Sequence, residues 1–212
     1  MIGSGRFITF EGGEGCGKST QVKRMKAALE AGGREVLLTR EPGGTWLSER
    51  IRTLIKDQET DAPCDRAELL LFLAARAQLV RNVIRPALQR GVWVLSDRFS
   101  DSTLAYQGYG RNLPLEFLRL ANDFACEGLK PDRTFLLEVS SATASARMRR
   151  RESATQTVAD RIEKAGDGFH ERLRRGFSEL AGKEPERITV IDAEGTVDEV
   201  WERIWNSMTH TL

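Results

Sequence analysis

A glycine-rich segment near the start of the chain has the residue types and spacing of a phosphate-binding loop. An apolar run, Phe7–Phe10, leads into Gly-x-x-x-x-Gly-Lys-Ser at residues 12–19, and a helical pattern follows. Glycines allow successive backbone N–H groups to point into one concavity, and the start of the next helix adds partial positive charge. Lys18 would then reach the β- and γ-phosphates of a nucleotide, and the Ser19 hydroxyl would bind Mg²⁺.

A flexible glycine-rich turn is the alternative interpretation of this segment. Such a turn does not need a strand before it, a Lys-Ser pair inside it and a helix after it, so the pattern favours a nucleoside triphosphate site. The predicted loop comprises Gly12, Gly13, Glu14, Gly15, Cys16, Gly17, Lys18, Ser19 and Thr20.

Charged residues also follow two later apolar runs. Arg40 comes directly after Glu35–Thr39, and Asp97 and Arg98 come directly after Val92–Ser96. Ligands of open α/β sheets bind beyond the carboxyl ends of the strands. We therefore expect these side chains to share one rim with the glycine-rich loop.

The residue types on this rim suit a metal ion and a second phosphate. Asp97 could enter a Mg²⁺ shell through water, or could cap a helix or turn. Arg98 suits a phosphate outside the triphosphate, because a guanidinium holds phosphate with two parallel hydrogen bonds. Arg40 could bind the same acceptor or form a surface ion pair with Glu41, and Glu11 closes the first strand at the same edge.

An arginine lies within the apolar helical pattern of residues 68–79. Phe72 and Arg76 are four residues apart and share one helical face. The ring could stack on a nucleobase while the guanidinium binds a carbonyl of the base. Phe72 could also be ordinary core, but an arginine is rarely buried without a partner.

Two polar stretches complete the set of candidate site residues. Residues 100–111 supply hydroxyls and an amide that could contact a base edge and a sugar, or they form a polar surface loop. Residues 147–161 pass from a basic helix end into a polar stretch. This stretch is either a solvated basic face or a mobile lid whose arginines close over a transferring phosphoryl group.

Alternating apolar runs and helical patterns predict the elements that position these residues. The predicted strands are Arg6–Phe10, Glu35–Thr39, Val92–Ser96, Thr134–Val139 and Ile188–Ile191. The predicted helices are Lys18–Ala31, Leu47–Lys56, Arg66–Gln89, Leu115–Glu127, Ala142–Arg150, Ala165–Ala181 and Val197–Met208, with Pro86 kinking the third or marking its last turns. This order predicts an α/β fold with a five-stranded parallel sheet flanked by helices, in one domain spanning residues 1–212.

Composition excludes several other classes of protein. Lys+Arg 32 against Asp+Glu 31 gives a net charge of +1, which does not favour nucleic acid binding. The three cysteines are scattered without metal-ligand spacing, so we expect a reduced, cytoplasmic setting. No apolar run approaches the length of a membrane span, and the first residues lack a signal-peptide core.

Five motifs together resemble the thymidylate kinase family. They are Phe-Glu-Gly-Gly-Glu-Gly-Cys-Gly-Lys-Ser-Thr, Thr-Arg-Glu-Pro-Gly-Gly-Thr, Leu-Phe-Leu-Ala-Ala-Arg, Ser-Asp-Arg-Phe-Ser-Asp-Ser and Ala-Tyr-Gln-Gly. They occur in that family's order and approximate spacing over nearly the whole chain. The resemblance implies a P-loop kinase fold with a mobile lid at about 147–161. It also implies transfer of the ATP γ-phosphoryl group to dTMP, with Mg²⁺, in dTTP biosynthesis.

The resemblance also assigns roles to individual residues. Phe72 resembles the residue that stacks on thymine, and Arg76 the residue that bonds thymine O4. Tyr106 resembles the tyrosine that excludes a ribose 2′-OH, and Thr103 and Gln107 line the same pocket. The expected substrate-binding residues are Glu11, Arg40, Arg52, Phe72, Arg76, Arg98, Thr103, Tyr106 and Gln107. The expected catalytic residues are Glu14, Lys18, Arg98, Arg149 and Arg151, and the expected metal ligands are Ser19 and Asp97.

The chain departs from many relatives at Phe99, and from some close relatives in a longer lid between Arg151 and Asp160; Gly15 separates it from one subgroup. Gly15 lies where one subgroup carries an arginine, so the resemblance implies an arginine from the lid, either Arg149, Arg150 or Arg151. Phe99 stands where many relatives have tyrosine or histidine. The family also implies a homodimer packed through helices such as Arg66–Gln89, although that surface could be intramolecular.

Three other functions remain open at this stage. A kinase of the same fold could act on another nucleotide or on a nucleoside. A nucleotide-gated switch is disfavoured because the chain has no Asn-Lys-x-Asp motif of the GTPase type. A motor-like ATPase acting on nucleic acid is disfavoured by the near-zero net charge.

Overall fold

Five parallel strands form the centre of the fold. The computed structural model describes residues 5–57, 62–155 and 166–208. The strands are β1 Phe7–Glu11, β2 Val36–Arg40, β3 Trp93–Asp97, β4 Arg133–Glu138 and β5 Ile188–Asp192. Their order across the sheet is β2-β3-β1-β4-β5, and every neighbouring pair is parallel. The predicted five-stranded parallel sheet is confirmed.

The central strand β1 is buried along its whole length. Parallel strands covered on both faces are built from nearly continuous apolar residues, and Phe7, Ile8 and Phe10 satisfy this pattern. Thr9 is tolerated because its Oγ1 lies 2.7 Å from Thr134 Oγ1 on β4, so the two hydroxyls bond each other. The strand therefore ends at Glu11 with its carboxyl end fixed between two neighbours.

Helices cover both faces of this sheet. They are α1 Lys18–Ala31, α2 Trp46–Lys56, α3 Asp65–Leu79, α4 Arg85–Gln89, α5 Ser100–Thr103, α6 Leu115–Cys126, α7 Ser141–Thr155, α8 Asp167–Lys183 and α9 Val197–Met208. Helices α1 and α9 have the predicted bounds. One apolar cluster packs α1 and α9 against the sheet, and a second cluster packs α6 and α8. In the described ranges, none of the helices combines the length and apolar character needed to cross a bilayer.

The predicted helix Arg66–Gln89 is interrupted by one wider turn. A π-helical segment, Val80–Ile84, joins α3 to α4, and Pro86 lies in the first turn of α4. Proline has no N–H to donate to the preceding turn, and a π-helical turn tolerates this break in the usual hydrogen bonding. Pro86 therefore begins the last helical turns, as one of the two sequence-based alternatives stated.

The interpretation of residues 100–111 as a surface loop is wrong. Helix α5 continues directly into a π-helical segment, Leu104–Gly110, and every residue of that segment is buried. Its side chains pack against α6 and α8, so the tyrosines are part of the core. The backbone N–H and C=O groups of the segment form helical hydrogen bonds. The polar composition of the segment did not indicate this helical structure.

The basic stretch is more helical than predicted. Helix α7 runs through Arg151 to Thr155 instead of ending at Arg150. Of the predicted lid, residues 156–161 lie outside the described part of the chain. The predicted start of α8 at Ala165 also lies outside it, and α8 begins at Asp167.

Candidate active site

A cleft of about 1170 Å³ opens at the carboxyl ends of β1, β2 and β3. Of the residues predicted from the sequence, the cleft is lined by Glu14, Gly15, Cys16, Gly17, Lys18, Ser19, Thr20, Arg40, Arg52, Phe72, Arg76, Asp97, Arg98, Thr103, Tyr106, Gln107, Arg150 and Arg151. The cleft therefore brings together residues from the glycine-rich loop, the strand ends and the helices α3, α5 and α7. Gly12, Gly13, Glu11 and Arg149 are not among the described residues that line it.

The glycine-rich loop wraps around the side chain of Lys18. Lys18 Nζ donates hydrogen bonds to the carbonyl oxygens of Gly12 at 3.0 Å and Gly13 at 2.7 Å. Gly12 has a φ of 133°, and a Cβ added there would lie 2.4 Å from Leu137 O. Only glycine fits this position, so the loop can pass close to β4 and still curl around the lysine.

Gly15 explains why this chain carries no arginine in the loop. Its φ is +73°, and an added Cβ would lie 2.6 Å from the carbonyl oxygen of Ala144 on α7. A side chain at this position is therefore blocked by the backbone of α7. A cation in addition to Lys18 that stabilises a transferring phosphoryl group would therefore have to come from another element.

Ser19 and Asp97 meet at the metal site predicted from the sequence. Ser19 Oγ donates to Asp97 Oδ2 at 2.5 Å, which joins the start of α1 to the end of β3. One hydroxyl and one carboxylate oxygen are a donor set that suits Mg²⁺, because this ion keeps several waters and takes its other ligands from phosphates. In the described ranges, no group of three or more His, Cys, Asp or Glu side chains forms a metal cage.

Arg98 lies directly against the glycine-rich loop. Its Nη1 donates to Gly12 O at 2.9 Å, its Nη2 donates to Glu14 Oε1, and its guanidinium lies 4.9 Å from the ring centroid of Tyr106. The backbone of Arg98 has a φ of 77°, a conformation that residues other than glycine rarely adopt. Lys18 and Arg98 thus share the Gly12 carbonyl oxygen as an acceptor.

The charge of Glu14 is fixed by these cations. Burial alone would raise its pKa, but Arg98 and Lys18 outweigh burial and lower the pKa to about 2, with a smaller contribution from Arg151. Glu14 is therefore an anion at the pH of any cell. Its negative charge holds Arg98 beside the loop.

Glu11 supports the turn that carries Arg98. Its Oε1 accepts a hydrogen bond from the Phe99 backbone N–H at 2.7 Å, and its Oε2 accepts one from Ser102 Oγ at 2.6 Å. Burial and the nearby Asp101 raise the pKa of Glu11 to about 8. Because its contacts are with the turn, its predicted role in binding substrate directly stays a prediction.

Phe99 has a packing role that accounts for the missing tyrosine or histidine. Its ring is fully buried and meets Phe7 edge to face, with 4.8 Å between ring centroids. The guanidinium of Arg76, which extends from α3, lies 5.3 Å from the centroid of the Phe99 ring. A hydroxyl or imidazole there would need a polar partner in this apolar environment.

Arg76 is fully buried and its N–H groups are shared among four acceptor residues. Its Nε and Nη2 donate to Glu41, with the shortest contact at 2.6 Å. Its Nη1 donates to Thr103 Oγ1 and Asn122 Oδ1, and Nη2 also donates to Phe99 O. Burial alone would lower the pKa of Arg76, but the charge of Glu41 outweighs burial and raises it. A bond from Arg76 to a base carbonyl would have to share one of these N–H groups.

One of the two alternatives for Arg40, a surface ion pair with Glu41, is wrong. Arg40 Nη2 instead pairs with both carboxylate oxygens of Glu49 at 3.0 Å, near the surface. Glu41 turns inward to Arg76, because a buried guanidinium needs a charged partner. Sequence proximity misled the interpretation, since the partner of Arg76 lies 35 positions away.

The far end of the cleft contains the residues predicted for a base and sugar. Phe72 is half-buried and packs beside Ile51 and Ile55. Tyr106 Oη is buried and has no hydrogen-bond partner among the described residues. Gln107 Nε2 donates to Glu68 Oε1 at 2.9 Å, and Arg52 Nη1 donates to Pro42 O at 2.9 Å. An unpaired buried hydroxyl at the edge of a cleft is a polar group available to a ligand.

The arginines of α7 do not all reach the cleft. All three side chains are exposed, but Arg150 and Arg151 line the cleft and Arg149 is not among the described residues that do so. Arg147 also lines it and was missed, although its spacing of four residues from Arg151 places both on one helical face. Arg147 Nη2 donates to Ala193 O at 3.0 Å and Gly195 O at 3.1 Å, which ties α7 to the loop after β5.

Comparisons with known proteins all lead to one family. A family model described as "Thymidylate kinase" matches residues 10–204. The thymidylate kinase of Desulfovibrio desulfuricans is 50% identical over 196 residues, which cover 92% of this chain and 90% of that protein. The thymidylate kinase of Bifidobacterium longum is 47% identical over 204 residues, covering 95% and 96%. A crystal structure of thymidylate kinase from Ehrlichia chaffeensis matches with a TM-score of 0.75 and 32% identity, covering 97% of this chain and 99% of that chain.

Proposed function

The chain belongs to the thymidylate kinase family, and on this premise we propose how its cleft transfers a phosphoryl group. The enzyme is a nucleoside monophosphate kinase that phosphorylates dTMP to dTDP with a nucleotide phosphoryl donor. The donor that we propose is ATP with Mg²⁺. We also propose a cytoplasmic setting, supported by the free thiols of Cys16, Cys64 and Cys126.

The donor binds at the glycine-rich loop. Backbone N–H groups of the loop and the start of α1 surround its β- and γ-phosphates, and Lys18 exchanges its loop carbonyl acceptors for phosphate oxygens. The base end of the donor faces Arg147, Gly195 and Val197 at the other side of the loop, where these residues line the cleft.

Ser19 and Asp97 hold the metal ion. Mg²⁺ held there would supply positive charge against the negative charge that develops on the transferring group. The contact between the two side chains shows that both are oriented toward one point. The Ser19 hydroxyl would bind the ion, and Asp97 would hold it through water.

Arg98 holds the phosphate of dTMP. Its guanidinium is partly buried beside the glycine-rich loop, with the side chain 16% exposed, and a charge-assisted hydrogen bond to phosphate is stronger there than at the surface. Glu14 occupies this guanidinium in the structure and must share or release it when the acceptor phosphate arrives. That exchange also frees Glu14 to accept from the sugar 3′-OH, as the family resemblance implies.

The thymidine part of dTMP lies between α3 and the π-helical segment Leu104–Gly110. Phe72 stacks on the ring, Arg76 donates to O4, and Tyr106 fills the space beside the sugar. The unpartnered Tyr106 hydroxyl supports a ligand at this point. Arg76 is held rigidly by Glu41, so the donor to O4 is oriented before the base binds.

Chemistry in this site depends on positioning and on charge. The acceptor is already an anionic phosphate, so transfer does not need a strong base. An arginine of α7, either Arg150 or Arg151, closes over the transferring group. Closure also excludes water, which would otherwise hydrolyse the donor.

One observation carries this proposal. Lys18 and Arg98 donate to the same carbonyl oxygen, that of Gly12, at 3.0 and 2.9 Å. Lys18, proposed to bind the phosphoryl donor, and Arg98, proposed to bind the phosphoryl acceptor, therefore converge on one point of the loop. Two phosphates held by these groups would meet there in line for transfer.

A substrate panel tests the proposal. ADP release from ATP is measured by a coupled assay with dTMP, thymidine, dUMP and dCMP, with Mg²⁺ and with excess EDTA. We expect rapid release with dTMP, none above background with thymidine, and loss of activity in EDTA. Equal rates with thymidine and dTMP would indicate a nucleoside kinase, and release without any acceptor would indicate a hydrolase.

The homodimer is also proposed, because the outer surface of α6 is apolar. Leu120 is 67% exposed and Phe124 is 87% exposed, and Phe117 lies on the same helical face. Leu70 on the neighbouring α3 is exposed as well. A second copy that covers these residues would remove this apolar surface from water.

A further inference from the structure

Glu68 is a buried carboxylate on α3 behind the proposed thymine pocket. Its side chain is 1% exposed and pairs with Arg111 Nη2 at 3.2 Å. It accepts a hydrogen bond from Gln107 Nε2 at 2.9 Å. Gln107 lines the cleft, whereas Glu68 is not among the described residues that do so. Glu68 therefore acts on the cleft only through a neighbour.

The contact fixes which end of the Gln107 amide faces the cleft. A carboxylate paired with arginine has only acceptor atoms, so the amide nitrogen of Gln107 must be the atom that faces Glu68. The amide oxygen is then the polar atom left for the cleft. Within the described ranges, no side chain or backbone N–H donates to this oxygen.

We propose that Glu68 is a positioning residue that sets base specificity by holding the Gln107 carbonyl oxygen toward the pyrimidine edge. This inference rests on the proposed function, in which Gln107 lies beside thymine. Thymine presents an acceptor at O4 and a donor at N3–H. Arg76 as donor and Gln107 as acceptor form the complementary pair.

Cytosine has the opposite pattern on the same edge. Its N3 is an acceptor and its C4 carries an amino group, so it would place a donor against Arg76 and an acceptor against the Gln107 oxygen. Unpaired or opposed polar groups in a buried pocket are costly, and a site built on them rejects the wrong base strongly. Uracil presents the same edge as thymine, so this pair does not separate dUMP from dTMP.

The decisive variant is Glu68→Gln. The new amide can offer either its oxygen or its nitrogen to Gln107, so the orientation of Gln107 is no longer imposed. We expect the KM for dTMP to rise, and the ratio of the dCMP inhibition constant to the dTMP KM to fall about tenfold, which is the size of one hydrogen bond. We expect kcat and the KM for ATP to stay within about twofold.

Asp65→Asn is the matched control. Asp65 lies one turn earlier on α3 and pairs with the same Arg111 at 3.4 Å. Among the described residues, Gln107 donates from its side chain to Glu68 and not to Asp65. If Glu68 acted only by neutralising Arg111, both variants would change selectivity alike, and that result would overturn the inference.

A double-mutant cycle separates this inference from the proposed function. In a Gln107→Ala background, Glu68→Gln should change the selectivity ratio by less than about twofold, because its intermediary is gone. Suppose that the wild-type enzyme phosphorylates dTMP and that Gln107→Ala impairs it, but that Glu68→Gln leaves the selectivity ratio unchanged. That combination of results would overturn the positioning role of Glu68 alone. A wild-type enzyme that does not phosphorylate dTMP overturns the proposed function and this inference with it.

If Glu68→Gln fails to fold, a second measurement on the wild-type enzyme tests the inference. It compares the binding of dTMP with the binding of a modified substrate. dTMP methylated at N3 lacks the donor that Gln107 would accept. We expect calorimetry to show at least about tenfold weaker binding than for dTMP. Equal affinity for the two nucleotides would overturn the inference.

Discussion

At the scale of single residues, the site contains cationic side chains that donate hydrogen bonds to acceptors of the protein itself. Lys18 contacts loop carbonyls, and Arg98 contacts Gly12 and Glu14. In the proposed mechanism, each would exchange these acceptors for phosphate oxygens when nucleotides bind. Lys18 and Arg98 are already held beside the loop before nucleotides bind. The exchange would therefore need little reorganisation, and the two cations already point to where charge develops.

Lys18→Ala should abolish most of the turnover. The variant removes the only lysine that contacts the loop carbonyls in the described structure, and loss of one such charge typically lowers kcat by about 10²- to 10³-fold. The measurement is steady-state kinetics at saturating dTMP. Lys26→Ala on the same helix, where Lys26 pairs with Glu30 at the surface, is the control and should retain kcat. A near-native kcat for Lys18→Ala would contradict the donor site.

Glu11 should make folding stability depend on pH. Its pKa is raised from 4.5 to about 8 by burial and by Asp101, so between these values the folded protein holds a proton that the unfolded chain releases. The free energy of unfolding therefore falls as the pH rises through this window. Relative to Glu11→Gln, the wild type should lose a few kcal/mol between about pH 5 and about pH 8 in urea denaturation. Parallel curves for the two proteins would show that Glu11 does not titrate there.

Sequence reasoning found many of the residues that line the cleft but not their partners. The motif spacing identified Lys18, Arg98 and Arg76, because a phosphate loop and strand ends leave a local pattern. Glu41, the partner of Arg76 that directly follows β2, is 35 residues away in the sequence, and Asn122 is 46 residues away. Contacts over such separations depend on helix packing, which local periodicity does not specify.

At the scale of elements, each predicted strand differs from the observed one by at most one residue at either end. Apolar runs bounded by glycine or by charge are a strong local signal. The π-helical segments Val80–Ile84 and Leu104–Gly110 were not predicted, because one extra residue per turn shifts the apolar pattern without a marker residue. The second of these segments carries Tyr106 and Gln107, so the error fell on the substrate pocket.

Helix α7 provides a prediction at this scale. Arg151 lines the cleft and its charge contributes to the low pKa of Glu14, whereas Arg149 lies on another face of the helix and is not among the described residues that line the cleft. Arg151→Ala should therefore lower kcat on the order of 10³-fold, and by more than Arg149→Ala. Rapid-quench measurement of single-turnover transfer compares the two. If Arg149→Ala has the larger effect, the face of α7 assigned to the transferring group is wrong.

At the scale of the whole molecule, the apolar surface of α3 and α6 predicts self-association. Phe124→Asp places a charge in the middle of this surface, next to Leu120, and should convert a dimer into a monomer. Light scattering after size-exclusion chromatography measures the mass of each form. Val190→Asp, at an exposed apolar residue on the edge strand β5, is the control and should remain dimeric. A wild type that is monomeric at micromolar concentration would refute the dimer.

The most direct test of the account is a crystal structure with dTMP and a non-hydrolysable ATP analogue bound with Mg²⁺. The account predicts the dTMP phosphate on Arg98, the thymine ring on Phe72 and the γ-phosphate of the analogue on Lys18, with the two phosphates facing each other above Gly12. A dTMP molecule bound elsewhere, or a phosphate that does not contact Arg98, would contradict it.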